Sequence, residues 1–350
     1  MAEPTIAAGF ARALTDLAVS KGASRALLAE QSGIDPAVLQ DQDNRVSLAS
    51  YKALMRAGKV LSGDSALGLH FGEAFEIAEL SIVGLMGQAC ETVADAFAQL
   101  GRYDRLMADI DGDSGPGSPR LVLTRSGGEL WLVDSRKDPN DFPELTESSF
   151  ARMVCTSRRM PAERPIIKEV HFTHAAPSYR AEYDRVFQMP LVFESTRNAL
   201  LMSGETWLTQ RIALQPRYVF GILSAHAEAL LKELENSKTA RGRVESLLMP
   251  VLHTGQGSMD TIAQKMGLSR QTLFRKLKAE GTSFERVLDE LRYRLALDYL
   301  NGKKVSVNEA AYLVGFSEPA AFSRAFKRWT GTSPRGPRVS KADTGGTEPA

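Results

Sequence analysis

Two stretches in the last third of this chain repeat one another. The first reads Ile262-Ala263-Gln264-Lys265-Met266-Gly267-Leu268-Ser269 followed by RQTLFRKLKAEGTS. The second reads Ala310-Ala311-Tyr312-Leu313-Val314-Gly315-Phe316-Ser317 followed by EPAAFSRAFKRWTGTS. The offset is 48 residues at Ala263/Ala311 and Gly267/Gly315, and 50 at Gly281/Gly331. Each stretch meets the demands of a helix-turn-helix. Two helices crossing at a steep angle need a small residue where their backbones approach, here Ala263 and Ala311. The turn needs a residue that tolerates positive φ, here Gly267 and Gly315. Leu268 and Phe316 then pin the turn to a core, and Ser269 and Ser317 are placed to cap the helix that follows.

That second helix carries an apolar stripe, Leu273 and Leu277 in one unit and Phe322 and Phe326 in the other. Its remaining face is polar or basic: Arg270, Gln271, Arg275, Lys276 and Lys278, then Ser323, Arg324, Lys327 and Arg328. A helix with a buried stripe and a basic opposite face suits a major groove walled by phosphates. Between the units, residues 283–300 carry Val287, Leu288, Leu291, Leu295 and Leu300 at helical spacing behind a Ser283 cap. A helix of that length spans roughly 27 Å at 1.5 Å per residue, enough to hold two recognition helices about one DNA turn, roughly 34 Å, apart.

The charge is divided in the same sense. Over 350 residues there are 43 basic and 42 acidic side chains. Residues 1–240 hold 25 basic against 31 acidic, whereas 241–338 hold 17 against 9. A basic C-terminal third points to an anionic partner, nucleic acid first.

The N-terminal part mixes helical and strand patterns. Ile6, Phe10, Leu14 and Leu17 predict a first helix stopped at Gly22; 47–61 and 92–107 predict two more. Residues 121–124 and 130–134, around Ser126-Gly127-Gly128, predict a hairpin. Further on come a helix near 144–159, a strand at 166–173, a helix at 177–187 and a strand at 191–194. Pro216 could open a helix to about Glu235, with Val219, Leu223, His226, Leu230 and Leu234 on one face. That face is either a dimer seam or packing against the chain's own N-terminal domain. The organisation expected is an α+β domain over 1–205, a helical connector and linker over 206–243 (the linker itself at 236–243), an all-α domain over 244–338 with two helix-turn-helix motifs joined by a long helix, and a disordered tail over 339–350.

Other chemistries find little support. Cys90 and Cys155 lie far apart and in no metal-type spacing, which fits a reducing cytoplasm. His171 and His174 would point to opposite faces of a strand, so no metal is expected there. Ala29 and Gly33 repeat the helix-turn-helix spacing, but the acidic residues that follow would repel phosphate, so that segment reads as structural. Lys303-Lys304 reads as a solvated turn. No signal peptide or membrane span is apparent, and no nucleophile-elbow, P-loop, dinucleotide or zinc motif occurs. No cofactor and no enzymatic activity are therefore expected.

GFSEPAAFSRAFKRWTGTSP (315–334) and LSRQTLFRKLKAEGTSFERVLDELR (268–292) resemble the DNA-binding domain of the AraC/XylS family of bacterial transcription regulators. The resemblance runs over 244–335. FTHAAPSYRAEYDRVFQMPLVFESTRNALLM (172–202) and VGLMGQACETVADAFAQLGRYDRLM (83–107) resemble the arabinose-binding-type effector domain of one subgroup. The resemblance implies a cytoplasmic transcriptional activator with a small-molecule effector, double-stranded promoter or operator DNA as partner, a homodimer, and contact with RNA polymerase. A regulator without an effector, or an enzyme domain fused to a DNA-targeting module, are the alternatives. The DNA-contacting set would be Ser269, Arg270, Gln271, Thr272, Arg275, Lys276 and Lys278, with Ser317, Glu318, Ser323, Arg324, Lys327 and Arg328. The chain departs from the family pattern after Pro334, where Arg335-Gly336-Pro337-Arg338 brings no aromatic. Ala320 and Ala321 at the start of the second recognition helix offer only methyl groups to bases, so the first unit is expected to carry most base-specific readout and the second to grip phosphate.

Overall fold

Among the described residues, an α+β unit is followed by a unit whose regular structure is helical. The computed structural model describes residues 3–112, 114–115, 118–160, 165–212, 217–254, 257–301 and 305–334. The two units are Met1–Lys232 and Glu233–Ala350.

A five-stranded sheet organises the first unit. Leu121–Ser126 and Glu129–Asp134 form the expected hairpin around Gly127-Gly128. Glu129–Asp134 pairs antiparallel with Asn198–Met202, which pairs antiparallel with Ile167–His171; Leu191–Val192 joins in parallel at the edge. Asn198–Met202 is the central strand and is buried at every residue. The sequence pattern leaves it unassigned, because a strand covered on both faces shows no alternation. The helix Pro143–Arg159 lays Phe150 and Val154 into a core with Phe172, Tyr183, Phe187 and Leu200.

A second core gathers Leu14, Tyr51, Leu54, Leu67 and Phe71 from the helices Ala8–Ser20, Leu48–Ser62 and Leu67–Ala74. The first helix starts later than its periodicity suggests. Ile6 belongs to a short strand, Thr5–Ala7, sandwiched antiparallel between Arg45–Ser47 and Ala108–Asp109. Ile6 fits both periods, and pairing with residues about 40 and 100 positions away decided between them.

The polar segment 236–243 is not an irregular linker. The helix Arg217–Lys238 continues into it and Ala240–Leu248 follows directly, with Thr239 as the cap between them. Gly242 permits the close turn, since a Cβ there would strike the Asn236 carbonyl. Of the residues named on the Val219–Leu234 face, Leu234 is buried and Val219 exposed. Glu228, on the same helix, accepts from Tyr103 Oη at 2.7 Å and pairs with Arg102, both on the helix Val93–Met107. Pro216, Lys303-Lys304, Arg335–Arg338 and the tail 339–350 lie outside the described residues.

The second unit holds the helices Ala240–Leu248, Met259–Lys265, Arg270–Ala279, Phe284–Asn301, Val307–Leu313 and Pro319–Thr330. One core runs through both repeats: Ile262, Ala263, Leu273 and Leu277 from the first, Ala311, Val314, Phe322 and Phe326 from the second, and Val287, Leu291 and Ala296 from the helix between them. Among the described residues no helix is long and apolar enough to cross a membrane.

Candidate functional site

The two repeats fold as helix-turn-helix units. Gly267 and Gly315 hold φ of 68° and 80° at the turns. Leu268 N–H donates to the Ala263 carbonyl at 2.9 Å, and Phe316 N–H donates to the Ala311 carbonyl at 3.0 Å. Ala263 and Ala311 are fully covered where the helices approach.

The recognition helices begin differently. Ser269 caps Arg270–Ala279 through its Oγ, which accepts from Thr272 N–H at 3.1 Å and lies 2.8 Å from Thr272 Oγ1. Ser317 does not cap its helix. The cap residue is Glu318, without a side-chain cap bond, and the helix starts at Pro319. Proline brings no N–H to satisfy at the first helical position and pushes the preceding residue to extended backbone, as Glu318 shows at φ −134° and ψ 129°.

Leu273 and Leu277 are buried, and Arg270, Gln271, Thr272, Arg275, Lys276 and Lys278 are exposed. Gln271, Arg275 and Lys278 stand at steps of four and three on the face opposite the buried stripe. In the second recognition helix Phe322, Ala325 and Phe326 are buried, and Ser317, Glu318, Arg324, Lys327 and Arg328 are exposed. Ser323 is half-buried, and its hydroxyl donates back to the Pro319 carbonyl at 2.9 Å. Arg270 pairs with Asp260 and Arg328 with Asp289, each at 2.6 Å. Arg275, Lys276, Lys278, Arg324 and Lys327 form no ion pair among the described residues. The result is two outward basic faces carrying five uncommitted cations.

Three features of this unit have no local sequence signal. Arg292, on the linking helix Phe284–Asn301, reaches the second turn. Its Nε donates to the Val314 carbonyl and its Nη2 to the Gly315 carbonyl, both at 3.1 Å, while the guanidinium sits 4.7 Å from the Phe316 ring centre. Burial lowers its pKa. Glu280, just past the first recognition helix, caps another helix by accepting from the N–H groups of Ala240 and Arg241 at 2.7 and 2.9 Å. Phe274 stands exposed among the basic residues. Arg292 and Glu280 act on residues more than twenty positions away, so no spacing rule reaches them.

In the first unit lies a cavity of about 670 Å3 between the sheet and the helices Val93–Met107 and Pro143–Arg159. Its wall is mostly apolar, with Phe10, Val93, Phe97, Leu132, Leu200 and Trp207 among the lining residues. The volume lies within the range of small-molecule sites. Sequence reasoning could not locate it, because its wall is assembled from residues spread over two hundred positions. His171 Nδ1 lies 2.9 Å from Ser195 Oγ, and His174 packs among Phe172, Tyr183 and Phe193. No metal-type cluster of His, Cys, Asp and Glu occurs among the described residues. Cys90 and Cys155 are both free, and burial raises both thiol pKa values.

Comparison with known proteins agrees with this division. The family model described as "Arabinose-binding domain of AraC transcription regulator, N-term" matches residues 22–211, and one described as "Helix-turn-helix domain" matches 262–338. The chain is similar to the ornithine utilization regulator of Pseudomonas aeruginosa, 28% identical over 93% of this chain and 94% of that one. It is also similar to the HTH-type transcriptional regulator VirS of Mycobacterium tuberculosis, 25% identical over 92% of each. Among solved structures, that of the transcriptional regulator CdpR from Pseudomonas aeruginosa matches with a TM-score of 0.40 and 22% identity, covering 92% of this chain and 95% of that one.

Proposed function

This chain belongs to the AraC transcription regulators with an arabinose-binding-type N-terminal domain, and from that premise we propose how it reads DNA and what controls it. It is a DNA-binding transcription regulator and not an enzyme. The recognition helices Arg270–Ala279 and Pro319–Thr330 enter successive major grooves, held apart by the rod Phe284–Asn301. Gln271, Arg275 and Lys278, with Arg270, face the bases, and Ser269 and Thr272 approach the backbone at the helix start. Lys276 grips phosphate. In the second helix Arg324, Lys327 and Arg328 grip phosphate beside Ser317, Glu318 and Ser323, because Ala320 presents only a methyl group on that face. The observation that carries this reading is the pair of basic faces, each opposite a fully buried stripe.

The protein acts in the cytoplasm as a homodimeric activator that contacts RNA polymerase. The half-covered helix Arg217–Lys238, with Val219 and Ile222 exposed, supports the dimer. The cavity of the first unit takes a small-molecule effector, which acts by binding one conformer better than another. The similarity to an ornithine utilization regulator makes ornithine an effector worth testing.

Footprinting of the purified chain on the DNA flanking its own gene tests the reading. The expected result is protection of two segments one helical turn apart for each protomer bound. Arg275→Ala should cost about 1–3 kcal/mol and relax one base position, whereas Lys327→Ala should weaken all sequences evenly and lower the salt slope by about one. Equal, sequence-blind losses from both would contradict the division of labour, and absence of any salt-sensitive, sequence-selective binding would contradict the DNA reading.

A further inference from the structure

Arg152 sits on the helix Pro143–Arg159, lines the cavity of the first unit and is only 6% exposed. Its Nε donates to the Phe75 carbonyl at 3.0 Å. Its Nη2 is buried and has no hydrogen-bond partner among the described residues. The guanidinium carbon lies 5.5 Å from the ring centre of Phe10 and 5.4 Å from that of Phe71. The ring faces attract the cation but carry no net charge to neutralise it. No carboxylate pairs with it among the described residues. A buried guanidinium in that state is costly unless an anion meets it.

The other charged groups on the cavity wall are already satisfied. Arg120 is held by Asp134, Nη2 to Oδ2 at 2.7 Å and Nε to Oδ1 at 3.1 Å. Glu76 pairs with Arg159 and accepts from Thr156 Oγ1 at 2.9 Å. Asp104 accepts from the Arg120 N–H at 3.3 Å, and burial raises its pKa toward the neutral form. Burial also lowers the pKa of Arg152, to about 10, with Arg120 nearby adding repulsion. Arg152 therefore remains one uncompensated positive charge on a wall made of Phe97, Leu121, Leu132, Met202 and their neighbours. Tyr51 and Thr156 line the same cavity with hydroxyl groups.

We propose that the cavity binds a carboxylic acid with a continuous apolar body, its carboxylate on Arg152 and its chain or ring system along the apolar wall. The inference rests on reading that cavity as the effector site. One uncompensated guanidinium matches one carboxylate; a phosphate dianion would need a second free cation, and the wall has none among the described residues. An amino acid with a charged side chain would place an ammonium against apolar groups.

The test is calorimetry on the full-length chain without DNA, using decanoate and 2-naphthoate, their methyl esters, and ornithine. Each acid should bind at least tenfold more tightly than its ester, and more tightly than ornithine. Arg152→Met keeps an apolar stem beside Phe10 and Phe71 and should erase the preference for acid over ester. Arg152→Lys should restore part of it. Leu100→Trp, which fills the cavity, should weaken acid and ester together. The proposal is overturned if acid and ester bind equally to the unaltered chain, if Arg152→Met keeps the preference, if ornithine binds best, or if neither acid binds at millimolar concentration. Operator retardation is measured in parallel, so a regulator that binds DNA but no acid loses only this ligand assignment.

Discussion

The two turn glycines occupy the same place in the repeat, yet alanine should affect them unequally. A side chain at Gly267 meets no heavy atom within 4 Å, so Gly267→Ala carries only the left-handed backbone penalty, about 1–2 kcal/mol. At Gly315 the added Cβ would lie well under 3.0 Å from the Leu252 carbonyl oxygen and 3.2 Å from its carbon. Neither atom is the end of a flexible side chain, so the turn must move away from the segment Met249–Thr254. That movement also pulls Gly315 and Val314 from the Arg292 guanidinium. Overpacking adds about 1–3 kcal/mol to the backbone penalty, so Gly315→Ala should cost about 2–5 kcal/mol in all. Native-state hydrogen exchange read by mass spectrometry on the full chain separates the two sites. Peptides from 307–330 in Gly315→Ala should exchange about 5- to 150-fold further above the unaltered chain than peptides from 262–279 do in Gly267→Ala. Equal increases, or a larger one at the first turn, would refute the claim that the Leu252 carbonyl constrains only the second.

Three other outcomes follow from particular contacts. Asp260→Asn frees Arg270 and removes a negative charge beside the DNA-facing helix; since exposed pairs are worth about 0.2–1 kcal/mol, fluorescence anisotropy should show operator binding roughly 1.5- to 5-fold tighter, most clearly at low salt. Unchanged or weaker binding would remove Arg270 from the interface. Burial raises the pKa of Glu147 to about 7, although Tyr183 and Tyr179 donate to its Oε1 at 2.6 and 3.1 Å. The folded state thus favours the protonated acid, and its contribution is complete below about pH 4.5, falls as pH rises to 7 and is flat above. Between pH 5 and 8, Glu147→Gln should gain on the unaltered chain by up to roughly 3 kcal/mol in thermal unfolding; parallel pH profiles would disprove it. Gly72→Ala should lower the stability of the first unit by about 1–3 kcal/mol, because the new Cβ would strike the Ser148 carbonyl and lie 2.8 Å from Ala151 Cβ on the helix Pro143–Arg159. An unchanged melting temperature would show that the two helices part without cost.

Local patterns carried a good part of the fold. The hairpin at Gly127-Gly128, the helices near 47–61 and 92–107 and the first recognition helix behind its Ser269 cap follow from nearest-neighbour chemistry, and the structure holds them where that chemistry places them. The differences arose where distant residues compete. Thr5–Ala7 became a strand through partners near 46 and 108, and Asn198–Met202 became the central strand without any alternation to mark it. Pro319 displaced the helix start by one residue and left Ser317 outside it. The segment 236–243 folded as two helix ends around the Thr239 cap, and Glu280, from beyond the first recognition helix, adds acceptors for the Ala240 and Arg241 N–H groups.

By itself the amino-acid order determined that there are two helix-turn-helix units, which helical faces are basic and that one helix joins them. Small residues, glycine turns, serine caps and three-to-four-residue periodicity act within a turn or two of chain, and a reader of the order sees all of them. Only the tertiary structure decided which cations stay free, that Arg292 and Leu252 make the second turn unlike the first, and that Arg152, with no carboxylate paired to it among the described residues, lines an apolar cavity. Those outcomes depend on which distant groups meet once the cores close, and electrostatic and steric partners at such separations leave no trace in local spacing.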